Sequence, residues 1–186
     1  CPVVPVYDGT FRIVQTDIVI EDVRRQVMAG AQHITFGDPD FFNGVGHAVP
    51  LVETLHATFP DLTYDATIKV EHLLRYAEHL PRLAATGCLF VTTAVETVDD
   101  HVLGLLEKGH TRAEFAAAVA LAGDAGLALS PTFIPFTPWT TVAGYLDLLR
   151  QIVDLDLIAH VGPVQLAIRL LITQGSRLLD LEDIRR

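Results

Sequence analysis

Five short apolar runs, beginning near residues 33, 62, 88, 127 and 158, are separated by segments in which apolar residues recur at helical spacing. That alternation constrains the fold more than any other feature, because strands separated by helix-length crossovers pair in parallel and stack helices against the sheet. The chain enters on a helix in which Ile20, Val23, Val27 and Ala31 share a face and Gly30 marks the stop. A helix that comes first implies a strand before it. Six βα units with right-handed crossovers then describe an α/β fold, a partial (βα)6 TIM-like barrel lacking its first strand in this sequence. No linker, repeat or low-complexity segment interrupts residues 1–186, which read as one domain.

The element boundaries follow from local chemistry. Two prolines break the apolar start before Asp8-Gly9, so residues 1–14 read as a weak hairpin or a loop. Ala48 to Phe59 reads as a helix with Pro50 in its first turn, and Val70 to Ala85 as another that Pro81 kinks or divides. Asp99 or Asp100 caps a short helix, and Thr111-Arg112-Ala113-Glu114 is a capping-box pattern. Leu127 to Phe136 reads as a strand, Thr141 to Asp154 as a helix, and Ile158 to Leu171 as a last strand.

Composition narrows the function. Hydrophobic residues make up 50% and charged residues 19%, the balance of a packed globular chain. A net charge of -10 argues against a duplex nucleic-acid surface. No apolar run is long enough for a bilayer span and the first residues lack a signal-peptide pattern, so no membrane partner and a cytoplasmic location are expected. Cys1 and Cys88 make no disulfide framework.

Polar groups collect where the strands stop. His33-Ile34-Thr35-Phe36 gives way to Gly37-Asp38-Pro39-Asp40, so Asp38 and Asp40 are candidates either to hold a ligand or to cap the next helix. Lys69 follows the second strand and either starts a helix or faces the ligand. Glu96 ends a very apolar strand, where a carboxylate calls for a partner or ligand. Thr137 and Thr140 follow the fourth run, and Gln165 and Arg169 lie in the fifth. His110 sits near a strand-tip loop as a weaker candidate. The eight histidines form no HExxH or paired metal spacing, and no GxSxG, Walker or GxGxxG pattern occurs. Cys88 opens a strand at the opposite end and reads as buried packing.

In order and spacing, four of these landmarks resemble the core of a radical S-adenosylmethionine (radical SAM) enzyme, truncated at the last cysteine of its CxxxCxxC motif. Cys1-Pro2 resembles that cysteine, and Phe36-Gly37-Asp38-Pro39 a variant of the GGE motif with aspartate for glutamate. Ala94-Val95-Glu96-Thr97 with Lys108-Gly109-His110-Thr111 is similar to the fourth-strand motif, and Phe133 to Pro138 to the fifth-strand motif, with Phe136 where glycine is common. The resemblance implies that Cys1 is one metal ligand of a [4Fe-4S] cluster. It also implies that Gly37, Asp38 and Pro39 meet the SAM amino group, Lys69 its carboxylate, Glu96 its ribose, and Ile134 to Thr137 its adenine. A 5'-deoxyadenosyl radical would then abstract hydrogen inside an apolar barrel from a small-molecule or peptide substrate, with flavodoxin or ferredoxin as electron donor. Two other readings of the residues remain: a non-catalytic partial barrel that binds a small ligand, and a cofactor-free enzyme using Asp38, Glu96 and His110 for acid-base work.

Overall fold

A computed structural model describes Thr10 and residues 12–184. The expected hairpin falls largely outside these residues, and Cys1 wholly so. Four strands, β1 (His33–Thr35), β2 (Thr63–Thr67), β3 (Cys88–Glu96) and β4 (Ala128–Phe133), form one parallel sheet in the order β1-β2-β3-β4. The helices between them are α1 (Thr16–Met28) before β1, then α2 (Val45–Thr58), α3 (Val70–Arg75) and α4 (Leu80–Ala85). After β3 come α5 (Asp100–Leu105) and α6 (Arg112–Asp124), and after β4 comes α7 (Val142–Asp154).

The helices cover one face of the sheet. Tyr64 and Ala66 of β2, Val91 and Val95 of β3, and Leu129 and Phe133 of β4 are buried there against Val52 and Leu55 of α2, Leu73 of α3 and Phe115 of α6. Phe115 and Phe133 meet edge to face at 6.2 Å, and burying a phenylalanine of this kind contributes about 1.5–3 kcal/mol. Alanines let α6 lie close to the sheet, Ala118 and Ala122 being buried. Its start is fixed by the expected capping box, in which Thr111 accepts from the Glu114 backbone while Glu114 accepts from the Thr111 N–H. Asp99 rather than Asp100 caps α5.

Three expectations need correction. The run from Ile158 to Leu171 forms no strand. It folds into single 3-10 turns at Ile158–His160 and Pro163–Leu166, because Gly162-Pro163 interrupts it and proline has no N–H for a ladder. A parallel bridge from Phe136 to Arg169 is what remains of a fifth strand. The 70–85 helix breaks at Tyr76, ahead of Pro81, which sits in the first turn of α4 where its missing N–H costs nothing. Pro50 lies inside α2, which starts earlier than the sequence suggests.

Gly87 closes α4 with φ +94, and a Cβ there would meet the Leu62 carbonyl oxygen at 2.8 Å while the Gly87 carbonyl accepts from Tyr64 N–H. Neither backbone can give way. Gly87→Ala is therefore expected to lower the urea midpoint of unfolding by the equivalent of at least 1 kcal/mol, roughly.

His110, 7% exposed, follows α5 and points Nδ1 at the Lys108 carbonyl, 3.3 Å away. Burial, aided by the Lys108 charge, lowers its pKa from the ordinary 6.5, against weaker opposing hydrogen bonds and Glu114. Below that value the unfolded chain takes up a proton that the folded chain refuses, so this contribution to stability is lost as pH falls from about 6.5 toward the folded pKa. Urea midpoints at pH 7.5 and 5.5 should fall less for His110→Asn than for the parent chain.

Candidate functional site

Because all four strands run the same way, the segments leaving them lie along one edge of the sheet. Gly37, Asp38 and Pro39 leave β1, Lys69 leaves β2, Glu96 ends β3, and Ile134 and Thr137 leave β4. The order along that edge is the order in the sequence.

At the first tip the two aspartates part company. Asp38 is exposed and borders a cleft with Arg12, Phe36, Phe41 and His47. Gly37 is also exposed, and an added Cβ there would meet open space. Asp40 turns inward. Its side chain is 1% exposed, Oδ1 accepts from the Lys69 N–H at 3.3 Å, and Oδ2 lies 2.7 Å from His72 Nδ1 and 3.5 Å from Lys69 Nζ. Asp40 thus ties the end of β1 to the end of β2 through Oδ1 and is turned away from the exposed edge, while Oδ2 and His72 Nδ1, close as they are, do not meet in hydrogen-bond geometry. Lys69 contributes its backbone to this clamp and leaves its ammonium group half exposed at the edge.

At the third tip Glu96 adopts φ +70, a left-handed conformation that costs a residue with a side chain about 1–3 kcal/mol. The ladder to β4 shifts register here, and the Glu96 carbonyl accepts from Ile134 N–H at 2.8 Å. Its carboxylate accepts from Lys108 Nζ at 3.1 Å, with both side chains about four-fifths buried. Lys108 is the partner that the apolar surroundings of Glu96 demand. Its place in the Lys108-Gly109-His110-Thr111 segment was visible in the sequence, but the pairing across the loop was not.

Beyond β4, Ile134 is half-buried at the edge. The Thr137 hydroxyl meets that of Thr140 at 2.9 Å, and Thr140 Oγ1 lies 2.8 Å from the Pro135 carbonyl, so both shape the turn. Gln165 also serves the backbone, accepting from Phe133 N–H.

The face of the sheet away from the helices is polar. Alternate residues along each strand line it, and the register aligns Thr35, Asp65, Phe90 and Ala128 in one row and Thr67, Thr92 and Ser130 in the next, with Thr132 beside Ala94 nearer the tips. This overturns the expectation of an apolar barrel interior. Period-2 alternation did put threonines opposite the buried valines, but the strands read as apolar because both faces were averaged.

Among the described residues no group of three or more His, Cys, Asp or Glu side chains is placed to hold a metal ion. Cys88 is buried and free, and burial, with the Asp65 charge nearby, pushes its thiol up to about 12, so it is a packing residue as expected. No described helix is long and apolar enough to cross a membrane.

No protein-family model and no curated protein sequence matches the chain. Solved structures do. The cobalamin-dependent S-adenosylmethionine radical enzyme OxsB with aqua-cobalamin bound superposes with a TM-score of 0.64 at 19% identity over 94% of this chain and 27% of that one. The radical S-adenosylmethionine methyltransferase TsrM from Kitasatospora setae gives 0.64 at 17% identity over 76% and 29%. Methylornithine synthase (PylB) gives 0.59 at 17% over 78% and 42%. The chain thus spans less than half the length of each of these proteins, and what it shares with them is a fold: a parallel, partial (βα) barrel of the kind found in radical SAM enzymes.

Proposed function

We propose that the chain is the core of a radical SAM enzyme, with SAM held along the strand-tip edge. The observation that carries this reading is the strict β1-β2-β3-β4 order, which brings Gly37-Asp38-Pro39, Lys69, Glu96 and Ile134 to one edge of a fold found in such enzymes. The residues suit the molecule. Exposed Asp38 would accept from the SAM ammonium group, and the open space over Gly37 admits close approach. Lys69, half exposed, would pair with its carboxylate, and Glu96, already aimed by Lys108, would accept from ribose hydroxyls. Ile134 would supply apolar contact to adenine, and Thr137 holds the turn beside it.

The iron-sulfur cluster is a harder fit. Cys88 is excluded by burial, so Cys1 alone of the chain's cysteines would serve as a thiolate ligand, and a [4Fe-4S] cluster needs more. When bound, such a cluster supplies the electron that cleaves SAM. Within the described residues the protein's own task is to bind and orient SAM above the polar face of the sheet. An electron donor such as flavodoxin or ferredoxin, and a small-molecule or peptide substrate, belong to the same proposal.

Two measurements test this. In calorimetry with SAM on the intact, cluster-loaded protein, Asp38→Asn and Glu96→Gln should each weaken binding about ten- to a hundredfold, the loss of one charge-assisted hydrogen bond. Asp40→Ala serves as the contrast, since removing a buried clamp should lower stability by about 3 kcal/mol in urea while Asp38→Asn leaves it unchanged. Unaltered SAM affinity in both tip variants would make these carboxylates structural. Anaerobic reconstitution of the 186-residue chain by itself should give no full-strength cluster absorbance, and a complete cluster spectrum would overturn the reading of Cys1 as one thiolate among several that the cluster needs.

A further inference from the structure

We infer that the polar face of the sheet is a binding site for a neutral, polyhydroxylated small molecule, anchored on Asp65. The inference rests on the reading of the strand-tip edge as the reactive end, and it names the substrate class that such an end would act on.

Asp65 is the one carboxylate within the strands on this face below the tips, and two residues of β1 hold it. His33 Nε2 lies 2.8 Å and Thr35 Oγ1 2.7 Å from Oδ1, while His33 Nδ1 meets Thr63 Oγ1 at 2.8 Å and the imidazole stacks against Phe90. Neither of these donors is bonded to Oδ2. A carboxylate fixed through one oxygen in this way is oriented, and its second oxygen is an acceptor for a ligand hydroxyl. One row nearer the tips, the Thr67 and Thr92 hydroxyls sit side by side, and Thr132 follows on β4. Their backbones are held in the ladder, and none of the three hydroxyls makes a hydrogen bond to a described residue. Ser130 in the same row is already committed to the His160 carbonyl.

The geometry is that of a small molecule with several hydroxyls. Neighbouring strands space these groups about 5 Å apart and successive rows about 7 Å apart, so Asp65, Thr67 and Thr92 lie within reach of one sugar-sized ligand. The Phe90 ring, in the same row as Asp65, offers a flat apolar surface for a C–H face. Charge decides between ligand classes. The strands contain no Lys or Arg, which leaves an anionic group without a partner on this face. Asp65 already has His33 and Thr35 as donors, which lessens the demand for a cation.

The experiment uses saturation-transfer NMR on the full chain, with glucose and adenosine as neutral hydroxylated probes, spermidine as a cationic one and glucose 6-phosphate as an anionic one, each at millimolar concentration. At least one neutral probe should bind, and Thr92→Val, which keeps the shape and β-branching of the side chain, should weaken it about three- to tenfold. Asp65→Asn should weaken it at least as much; if that variant fails to fold, Thr92→Val alone decides. Binding of neither neutral probe, preference for spermidine or glucose 6-phosphate, or unchanged affinity in Thr92→Val would each overturn the inference. Calorimetry with SAM on the same variants separates the two readings: Thr92→Val should leave SAM affinity intact. Absence of SAM binding in the intact, cluster-loaded protein with polyol binding retained would sink the radical SAM reading alone.

Discussion

The parallel pairing of β2 with β3 is the constraint from which the rest of the structure follows. Two parallel neighbours cannot be joined by a hairpin, so the chain must leave the end of β2, cross the sheet as α3 and α4, and return at the start of β3. The same requirement repeats at each pair. It puts every helix crossover on one face and every strand exit on one edge, and it leaves the second face bare of helices. The polar edge and the polar face are therefore products of topology before any ligand is considered.

Within that frame, chemistry separates groups that hold the edge together from groups that it presents. Asp40 is buried on the backbone of Lys69 beside His72, and the turn after β4 consumes the hydroxyls of Thr137 and Thr140. These contacts fix the spacing of the loops. Asp38 is left facing a cleft, and Glu96 is held in a strained backbone conformation with Lys108 as its counter-charge. Strain at a strand tip persists only where neighbours enforce it, here the Ile134 hydrogen bond and the register shift to β4.

How much of this was legible depends on the length over which each signal is averaged. Strands β1 to β4 and the helices between them were readable because apolar periodicity accumulates over five to fifteen residues, roughly, and Gly87 and the Thr111 capping box punctuate it sharply. The 158–171 run misled because its apolar content resembles a strand while Gly162-Pro163 denies it a ladder. At the site, the strand tips were legible but the roles were not. Asp38 and Asp40 are two residues apart and chemically identical, and what turns one inward is His72 and Lys69, some thirty residues on, roughly. The His33 and Asp65 contact escaped for the same reason, being a cross-strand pair that only register reveals.

The polar face also changes what the edge has to accomplish. In an apolar cavity a substrate is positioned by shape, and reactive chemistry is protected by the absence of donors. A face of hydroxyls and one oriented carboxylate positions by hydrogen bonds instead, each modest and each directional, so selectivity comes from the pattern of Asp65, Thr67 and Thr92 more than from exclusion. Such a face competes with water for its ligand. Under the proposed function, protection of the reacting end must then come from the groups at the tips, where Ile134, Pro135 and the largely buried Glu96 and Lys108 pair leave little exposed polar surface. The division matches where the positive φ lies: it falls at Glu96, at the tips, and not at Asp65 or Thr92, where the ladder's irregularity beside Asp65 turns the carboxylate without forcing the backbone left-handed.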